Sequence, residues 1–544
     1  MNWLSEKARV AMRARCSDGT ASWRRLAPFV LLFMVAGCGN PSLSHMRVPQ
    51  GVAVPDRCAV VFFVDGLDHT IVDDMLNRDE LPAIRRHLVD RGATVENAIT
   101  CIPSITYAIQ VTLLTGLYPG HHDILGNKWF ERRSRIWKTY NEAETYREVN
   151  EDFAAKTVYE VLHDRLTVNF QSATRRGVTH TFDNWAESGV CWCFRWHLAL
   201  DRWVGCNFEQ IEGLARRTGR WPALIHAYFP GVDGRAHTVG SDSPLYRQAL
   251  RNVDTQIGLA CDGLARAGVL DRTYLLLVSD HGHTPCPRNQ FVDVSEWLRD
   301  SRGWRVHEGR RTDDWSPERR RKHFERVDAA CINGGNRQYL IHLRAPAGWE
   351  ARPGFSQCKD ALTAGNPPLY RLPAVFVGCC RKGPDSVWIV GREGEAVVTR
   401  RRHDNGSEYR YDVVHGDPLG YLAEPVAAEC VRSGWHESRA WLDATAESRC
   451  PDVVAQLVEF FDSPRSPDIA LFAADGWDFS PDNVGGHGSI LRRDMLVTMV
   501  FAGPGVRPGH SLRTARTCDV APTIVELLAG PGRVKDFGRI DGRS

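Results

Sequence analysis

The run Val60-Val-Phe-Phe-Val64, apolar throughout and mostly β-branched or aromatic, ends in Asp65-Gly66. A strand with one wet face alternates apolar and polar residues. An unbroken apolar run bounded by turn formers instead needs cover on both faces, as in a parallel sheet packed between helices. The pattern recurs in Leu224 to Pro230, followed by Gly231-Val-Asp233-Gly-Arg-Ala-His237, and again in Tyr274-Leu-Leu-Leu-Val278, followed by Ser279-Asp280-His281-Gly282. Between the last two, Leu250, Val253, Ile257, Ala260 and Leu264 recur at spacings of three and four and predict a helix from Pro244 to Arg266. Such alternation predicts an α/β fold, with a mostly parallel central sheet flanked by helices. Ligands of open α/β sheets lie at the carboxyl edge of the strands, where each of these three runs delivers acids or histidines.

The remaining elements fit around this frame. Ile71 to Val89 carries a helical pattern broken at Leu81-Pro82, and Ala93 to Ile99 reads as a short strand. In Cys101-Ile-Pro-Ser-Ile-Thr106, Pro103 and Ser104 are turn and cap residues, and the apolar run from Tyr107 to Leu114 stops at Gly116. This is a loop feeding a helix, with Thr106 near the helix N-terminus, where backbone N–H groups favour a bound anion such as phosphate. From about 294 to 462 the chain turns rich in Arg and Trp. Its charge runs, Arg310 to Asp314 and Arg319 to Lys322, read as solvated faces. Strand-like pieces at Gln338 to Leu343, Ala374 to Gly378 and Val387 to Val390 predict an inserted cap region over 294–462 that returns one edge strand to the sheet. Asp468 to Ala474 is expected to resume the core, which then comprises 51–293 and 463–544. A glycine-rich loop from Asn483 to Ser489, a strand from Met495 to Ala502 and a helix from Asp519 to Leu528 close the chain.

The N-terminus reads as a targeting segment. Lys7, Arg9, Arg13, Arg15, Arg24 and Arg25 precede the short apolar stretch Leu26 to Gly37 and then Cys38. Val35-Ala36-Gly37-Cys38 looks like a bacterial lipobox. It predicts a signal peptide over 1–37, cleavage before Cys38, acylation of that thiol, a tether over 38–50, and an exported lipoprotein anchored in a membrane, in the periplasm or on the cell surface. Of the 16 cysteines, those beyond Cys16 and Cys38 number fourteen (16 − 2), an even count that permits disulfides in an exported protein. Without a paired CxxC a thiolate zinc site is disfavoured, leaving disulfides or buried free thiols. The formal charge of +2 gives no sign of a surface for nucleic acid.

Asp65, Thr106, Asp233, His237, Asp280, His281 and His487 therefore gather at strand exits and loops. Carboxylate and imidazole without thiolate suit zinc, manganese or related divalent ions, and two such ions about 4 Å apart can clamp the oxygens of a phosphoryl displacement.

Val-Asp-Gly-Leu, the Pro-Ser-x-Thr loop with Thr-Gly-Leu-Tyr-Pro-Gly-His, Asp233-x-x-x-His237, Ser279-Asp280-His281-Gly282 and Gly486-His487-Gly488 resemble the alkaline phosphatase superfamily. Within it they look most like the type I phosphodiesterase/nucleotide pyrophosphatase branch. The resemblance covers roughly Ala59 to Pro285 and Asp468 to Leu528. It implies two divalent metal ions, zinc or manganese, the first held by Asp65, Thr106, Asp280 and His281 and the second by Asp233, His237 and His487. It implies Thr106 as nucleophile through a phospho-threonine intermediate, Asn127 as a donor to a phosphate oxygen, and a small-molecule phosphate ester, a nucleotide among the candidates, as substrate. Where this branch commonly continues its nucleophile with Phe-Pro-Asn, the chain has Tyr107, Ala108 and Ile109, which predicts a differently shaped helix start.

Other readings share the metal set: a phosphomonoesterase, a phosphonate hydrolase, a phosphoethanolamine transferase, or a surface lipoprotein that binds metal without turnover. A sulfatase is disfavoured because Cys101-x-Pro-x is followed by Ile105, where the formylglycine motif needs Arg.

Overall fold

The computed structural model describes residues 55–142, 144–182, 191, 194–218, 221–404 and 406–544. The signal segment, Cys38 and the tether lie outside the described residues. Cys58–Val64 is buried at every position and pairs in parallel with Leu224–Phe229 on one side and Thr273–Val278 on the other. Thr167–Phe170 and His180–Phe182 continue the parallel order. On the opposite flank Met499–Ala502 runs antiparallel to Thr273–Val278 and leads to Gly92–Ile99, which pairs in parallel with His510–Arg516. With Leu496–Val497 this makes a nine-stranded, mostly parallel sheet.

The apolar run of the central strand is unbroken because both of its faces are covered. Ala59, Val61 and Phe63 pack with Ile109 and Leu113 of helix Thr106–Thr115 and with Ile524 and Val525 of helix Val520–Ala529. The intervening Phe62 faces the other way, its ring 6.0 Å from that of Phe208 in helix His197–Thr218. Alternation of side chains along a strand thus feeds two cores. Because the three central strands run parallel, Asp65, Gly231 and Asp280 leave the sheet at the same edge.

A second nine-stranded sheet, almost wholly antiparallel, runs in the order Val306–His307, Ala329–Gly334, Gln338–Leu343, Ile469–Ala473, Val375–Gly383, Ser386–Gly391, Gly394–His403, Gly406–Gly416, His436–Glu437. Two expectations are corrected here. Ile469–Ala473 does not resume the parallel sheet but lies inside this one, antiparallel to both Gln338–Leu343 and Val375–Gly383. Among the described residues no strand from 294–462 joins the parallel sheet. A five-residue apolar strand signals cover on both faces, which either sheet provides; its pairing partner is not written in its period. The strands Gly394–His403 and Gly406–Gly416 form a long hairpin that the sequence reading does not include; its Arg400-Arg-Arg-His403 has the composition of a solvated charge run. Arg400 is in fact buried, its guanidinium held by Asp385, Glu459 and Asp462.

The described cysteines are free thiols, all buried except Cys191 and Cys206, so of the two readings the structure takes buried thiols over disulfides among them. Among the described residues no helix is long and apolar enough to cross a membrane.

The turn Pro119–His122, just beyond helix Thr106–Thr115, is stapled to distant parts of the chain. His121 Nε2 lies 2.6 Å from Glu459 and 3.4 Å from Asp462, and Nδ1 lies 2.6 Å from Asp541. Burial alone would lower the pKa of His121, but hydrogen bonds to Asp462, Asp541 and Glu459 raise it to about 10. A histidine raised in this way stabilises the fold fully below its unfolded value of about 6.5 and loses that contribution as pH climbs through the folded value. Removing one partner of a buried ionic network costs about 3–5 kcal/mol. His121→Asn is therefore expected to lower the melting temperature most below about pH 6.5, with the gap to wild type shrinking steadily toward pH 10. Melting curves across that range would show a constant gap if His121 were neutral in the native protein.

Candidate active site

Three of the expected ligands converge at the ends of the central strands. Asp65 follows Cys58–Val64, and Asp280 and His281 follow Thr273–Val278. His281 Nε2 lies 3.3 Å from Asp65 Oδ1, 3.2 Å from Asp280 Oδ2 and 3.4 Å from Thr106 Oγ1. Its other nitrogen, Nδ1, is 2.9 Å from the carbonyl of Gly282. A carbonyl only accepts, so Nδ1 carries the hydrogen and Nε2 is left as a bare acceptor facing two carboxylates and a hydroxyl.

The second set forms beside it. Asp233 and His237 sit four residues apart on helix Gly231–Val239, hence on one face, with His237 Nε2 3.4 Å from Asp233 Oδ2. His487 arrives from the glycine-rich loop, and its ring stacks on that of His281 with centroids 3.4 Å apart. Here too the outward nitrogens are committed, His237 Nδ1 to the carbonyl of Gly485 at 3.0 Å and His487 Nδ1 to that of Ser104 at 2.9 Å. All three imidazoles are thus fixed by backbone carbonyls in the tautomer that offers Nε2, the outer support that metal-binding histidines ordinarily have.

What these groups lack is positive charge. Asp65 Oδ1, Asp280 Oδ2 and Asp233 Oδ1 are buried with no hydrogen-bond donor. Burial holds the Asp65 carboxyl well above the usual range, with the charges of Asp280 and Asp233 adding to it, and burial raises Asp280 and Asp233 as well. It also pushes His281 and His487 down, keeping both neutral. Two groups of bare acceptors, Asp65–Asp280–His281 and Asp233–His237–His487, each have their ligand atoms within 4.8 Å of one another. That donor chemistry fits two divalent cations of the zinc or manganese type. Gly66 permits the two sets to touch: its φ is +64°, and a Cβ there would meet Asp233 at 2.8 Å.

Thr106 is the first residue of its helix and nearly buried. The substitution after it leaves the helix start regular. Ala108 and Ile109 are fully buried in the core. The Tyr107 ring turns toward Tyr140, 5.3 Å away, and its hydroxyl donates to the Tyr140 carbonyl. Asn127 lines the same cleft as Thr106. Its Oδ1 accepts from Tyr107 N–H at 3.1 Å, which leaves its NH2 as the donor. His283 does not line the cleft; it is buried and packs edge-on to His237 at 4.9 Å.

Sequence reasoning missed the supports. Tyr228 donates its hydroxyl to Asp65 Oδ2. The buried pair Arg337–Asp494, at 2.9 Å, joins the turn before Gln338–Leu343 to the short helix Arg492–Met495, where Asp494 also accepts from Ser489 N–H. Most consequential is the turn between Ala329–Gly334 and Gln338–Leu343, which forms the far wall of the cleft with Asn333, Gly335, Asn336 and Gln338. Asn333-Gly-Gly-Asn336 between two apolar runs is a hairpin signal that could have placed it. The turn grips the His487 backbone, through His487 N to Gly335 O at 2.8 Å and Arg337 N to His487 O at 3.1 Å. Gly335 has φ +55°, and a Cβ on it would lie 2.5 Å from His487 O and 2.8 Å from its ring. Gly335→Ala must therefore displace His487. It is expected to weaken divalent-cation binding about 10–100-fold in calorimetric titration, whereas an unchanged affinity would mean that His487 is not a ligand.

The model of the family described as type I phosphodiesterase/nucleotide pyrophosphatase matches residues 59–347. An uncharacterized pyrophosphatase/phosphodiesterase of Schizosaccharomyces pombe is 27% identical over 259 residues, 46% of this chain and 48% of that protein. Human ectonucleotide pyrophosphatase/phosphodiesterase family member 5 is 21% identical over 217 residues, 39% of this chain and 43% of that protein. The chain thus spans just under half the length of these relatives. Among solved structures, murine ectonucleotide pyrophosphatase/phosphodiesterase 5 shares the fold with a TM-score of 0.52 at 16% identity, over 87% of this chain and 95% of that one. An inactive variant of the same murine protein, in complex with AMP, matches with the same TM-score.

Proposed function

The chain belongs to the type I phosphodiesterase/nucleotide pyrophosphatase family, and from that membership we propose that it hydrolyses phosphodiesters with Thr106 as nucleophile beside a two-metal site. The observation that carries this reading is the pair of neighbouring bare acceptor sets, the first of them beside a hydroxyl at a helix start. Asp65, Asp280, His281 and Thr106 would hold one divalent ion, and Asp233, His237 and His487 the other. Such ions supply positive charge that lowers the pKa of a hydroxyl and offsets the charge of a phosphoryl group.

The chain's own residues do the rest. The Thr106 hydroxyl loses its proton and attacks phosphorus, and the bond from phosphorus to the departing ester oxygen breaks, that oxygen leaving with a proton. Water then cleaves the phospho-threonine and restores the hydroxyl. The Asn127 NH2, oriented by the Tyr107 N–H, donates to a non-bridging oxygen; losing such a donor costs about 10²–10³-fold in rate. The helix N-terminus behind Thr106 adds favourable dipole for the anion. The names of the relatives make nucleotides the first esters to assay. The lipobox reading places the enzyme outside the cytoplasm, tethered through lipid on Cys38.

The test compares bis-p-nitrophenyl phosphate with p-nitrophenyl phosphate, using protein that begins after Cys38 and is loaded with zinc or manganese. Faster turnover of the diester is expected; faster turnover of the monoester would make the protein a phosphatase.

A further inference from the structure

The far wall of the cleft carries hydrogen-bonding atoms that no protein group uses. Gln338 is fully buried, yet neither Oε1 nor Nε2 has a partner, and Asn333 Oδ1 and Asn336 Nδ2 are in the same condition. All three side chains line the cleft that contains Thr106. Burying an amide without a partner costs about 1–3 kcal/mol, and the great majority of buried polar groups are satisfied. Three such residues on one hairpin mark a place where something else hydrogen-bonds. The sense of the set is fixed at Asn333, whose Nδ2 donates to the Phe479 carbonyl at 3.4 Å and leaves Oδ1 as an acceptor. Lys128 Nζ, held on the Asn333 carbonyl at 3.3 Å, brings further donors to the same wall.

Donors and acceptors are therefore interleaved over a few residues. Among the described residues no Phe, Tyr or Trp lines the cleft, whose two rings, His237 and His487, belong to the acceptor sets, and Tyr107 beside Thr106 is turned onto Tyr140. Nucleobases and quaternary ammonium groups are held largely on aromatic faces. A hydroxyl both donates and accepts, and a group bearing several hydroxyls matches an interleaved set of carboxamides.

We infer that the cleft binds a polyhydroxylated ester group, glycerol, sugar or cyclitol, on the phosphate that Thr106 attacks, with Asn333, Asn336 and Gln338 selecting it. This rests on the phosphodiesterase reading above. The arrangement makes the inserted region responsible for specificity, since its hairpin both contacts the ester group and holds the His487 backbone.

The experiment measures kcat/KM of the metal-loaded protein for glycerophosphoinositol, for thymidylyl-(3′→5′)-thymidine, a nucleotide ester whose departing group is likewise an alcohol, and for bis-p-nitrophenyl phosphate. Asn336→Ala and Gln338→Met are assayed alongside wild type. The expected result is that glycerophosphoinositol exceeds the nucleotide ester. In each variant the ratio of glycerophosphoinositol to bis-p-nitrophenyl phosphate should fall about 10–100-fold. Asn336 lies on the turn, so its variant keeps the test alive if Gln338→Met fails to fold. A preference for the nucleotide ester, or an unchanged ratio in the folded variants, overturns the inference while leaving the phosphodiesterase reading intact. Absence of turnover on all three substrates, or turnover that survives Thr106→Ala, overturns that reading and this one with it.

Discussion

Thr106→Ala is expected to lower kcat/KM for bis-p-nitrophenyl phosphate by at least about 10⁴-fold, roughly 5.5 kcal/mol of transition-state stabilisation. The size follows from what the hydroxyl does. It is the one side-chain oxygen at the helix start that lies beside the bare Nε2 of His281, 3.4 Å away, and no other hydroxyl takes its place when it is removed. Residual turnover would come only from binding and charge at the site, as when a nucleophile is deleted elsewhere. The fold should be little affected, because the helix is capped at Ile105 rather than Thr106 and the Thr106 hydroxyl contacts His281 of the site. Thr106→Ser, which keeps an oxygen at the same place, separates the hydroxyl's chemistry from its packing and should recover most of the loss. Single-turnover measurement with the serine variant would also test for a covalent phospho-enzyme. If Thr106→Ala retained more than about a tenth of wild-type activity with an unchanged melting temperature, attack would have to come directly from water, and the threonine would be a ligand at most.

How much of this was legible in the residues depended on which physical signal they carry. The three central strands announced themselves because a strand buried on both faces cannot hide its composition, and the acids at their ends inherited a location from the parallel order. Asp65, Asp280 and Asp233 meet at one edge for that reason alone. The helix from Pro244 to Arg266 was readable to the residue, since proline at its start and the spacing of its apolar face define it locally. Ile469–Ala473 was readable as a strand and not as a member of either sheet, because periodicity reports burial while pairing is decided by loops and neighbours. Arg400 is silent for the opposite reason. A run of three arginines looks solvated, and only the fold reveals that the first of them faces Glu459 and Asp462. The hairpin at Asn333–Asn336 carried a turn signal, yet its approach to His487 spans about 150 residues of sequence, a distance that motifs do not measure. The residues that hold the site together, Tyr228, Arg337 and Asp494, were silent because a supporting hydrogen bond needs no motif.

Removing divalent cations is the second perturbation with a large expected effect, and it acts on stability as well as activity. Without a cation, Asp65, Asp280 and Asp233 lie buried with one unpartnered oxygen each, and each carboxyl is pushed upward by burial. Burying a charge without a partner is among the most costly arrangements a protein can contain. A cation that binds only the folded chain repays that cost by mass action, about 2.7 kcal/mol per site at a hundred times its dissociation constant. Dialysis against a chelator is accordingly expected to abolish turnover and to lower the melting temperature, with zinc or manganese restoring both. Metal analysis should find two ions per wild-type chain, and Asp280→Asn and Asp233→Asn should each lose one, since each removes a charged ligand from a different set. The two variants then distinguish the sites: Asp280→Asn empties the one that Thr106 shares and should approach the loss seen for Thr106→Ala. Chelation that left activity and melting temperature unchanged would show that the two acceptor sets are satisfied by water and protons, and the two-metal reading would fall with them.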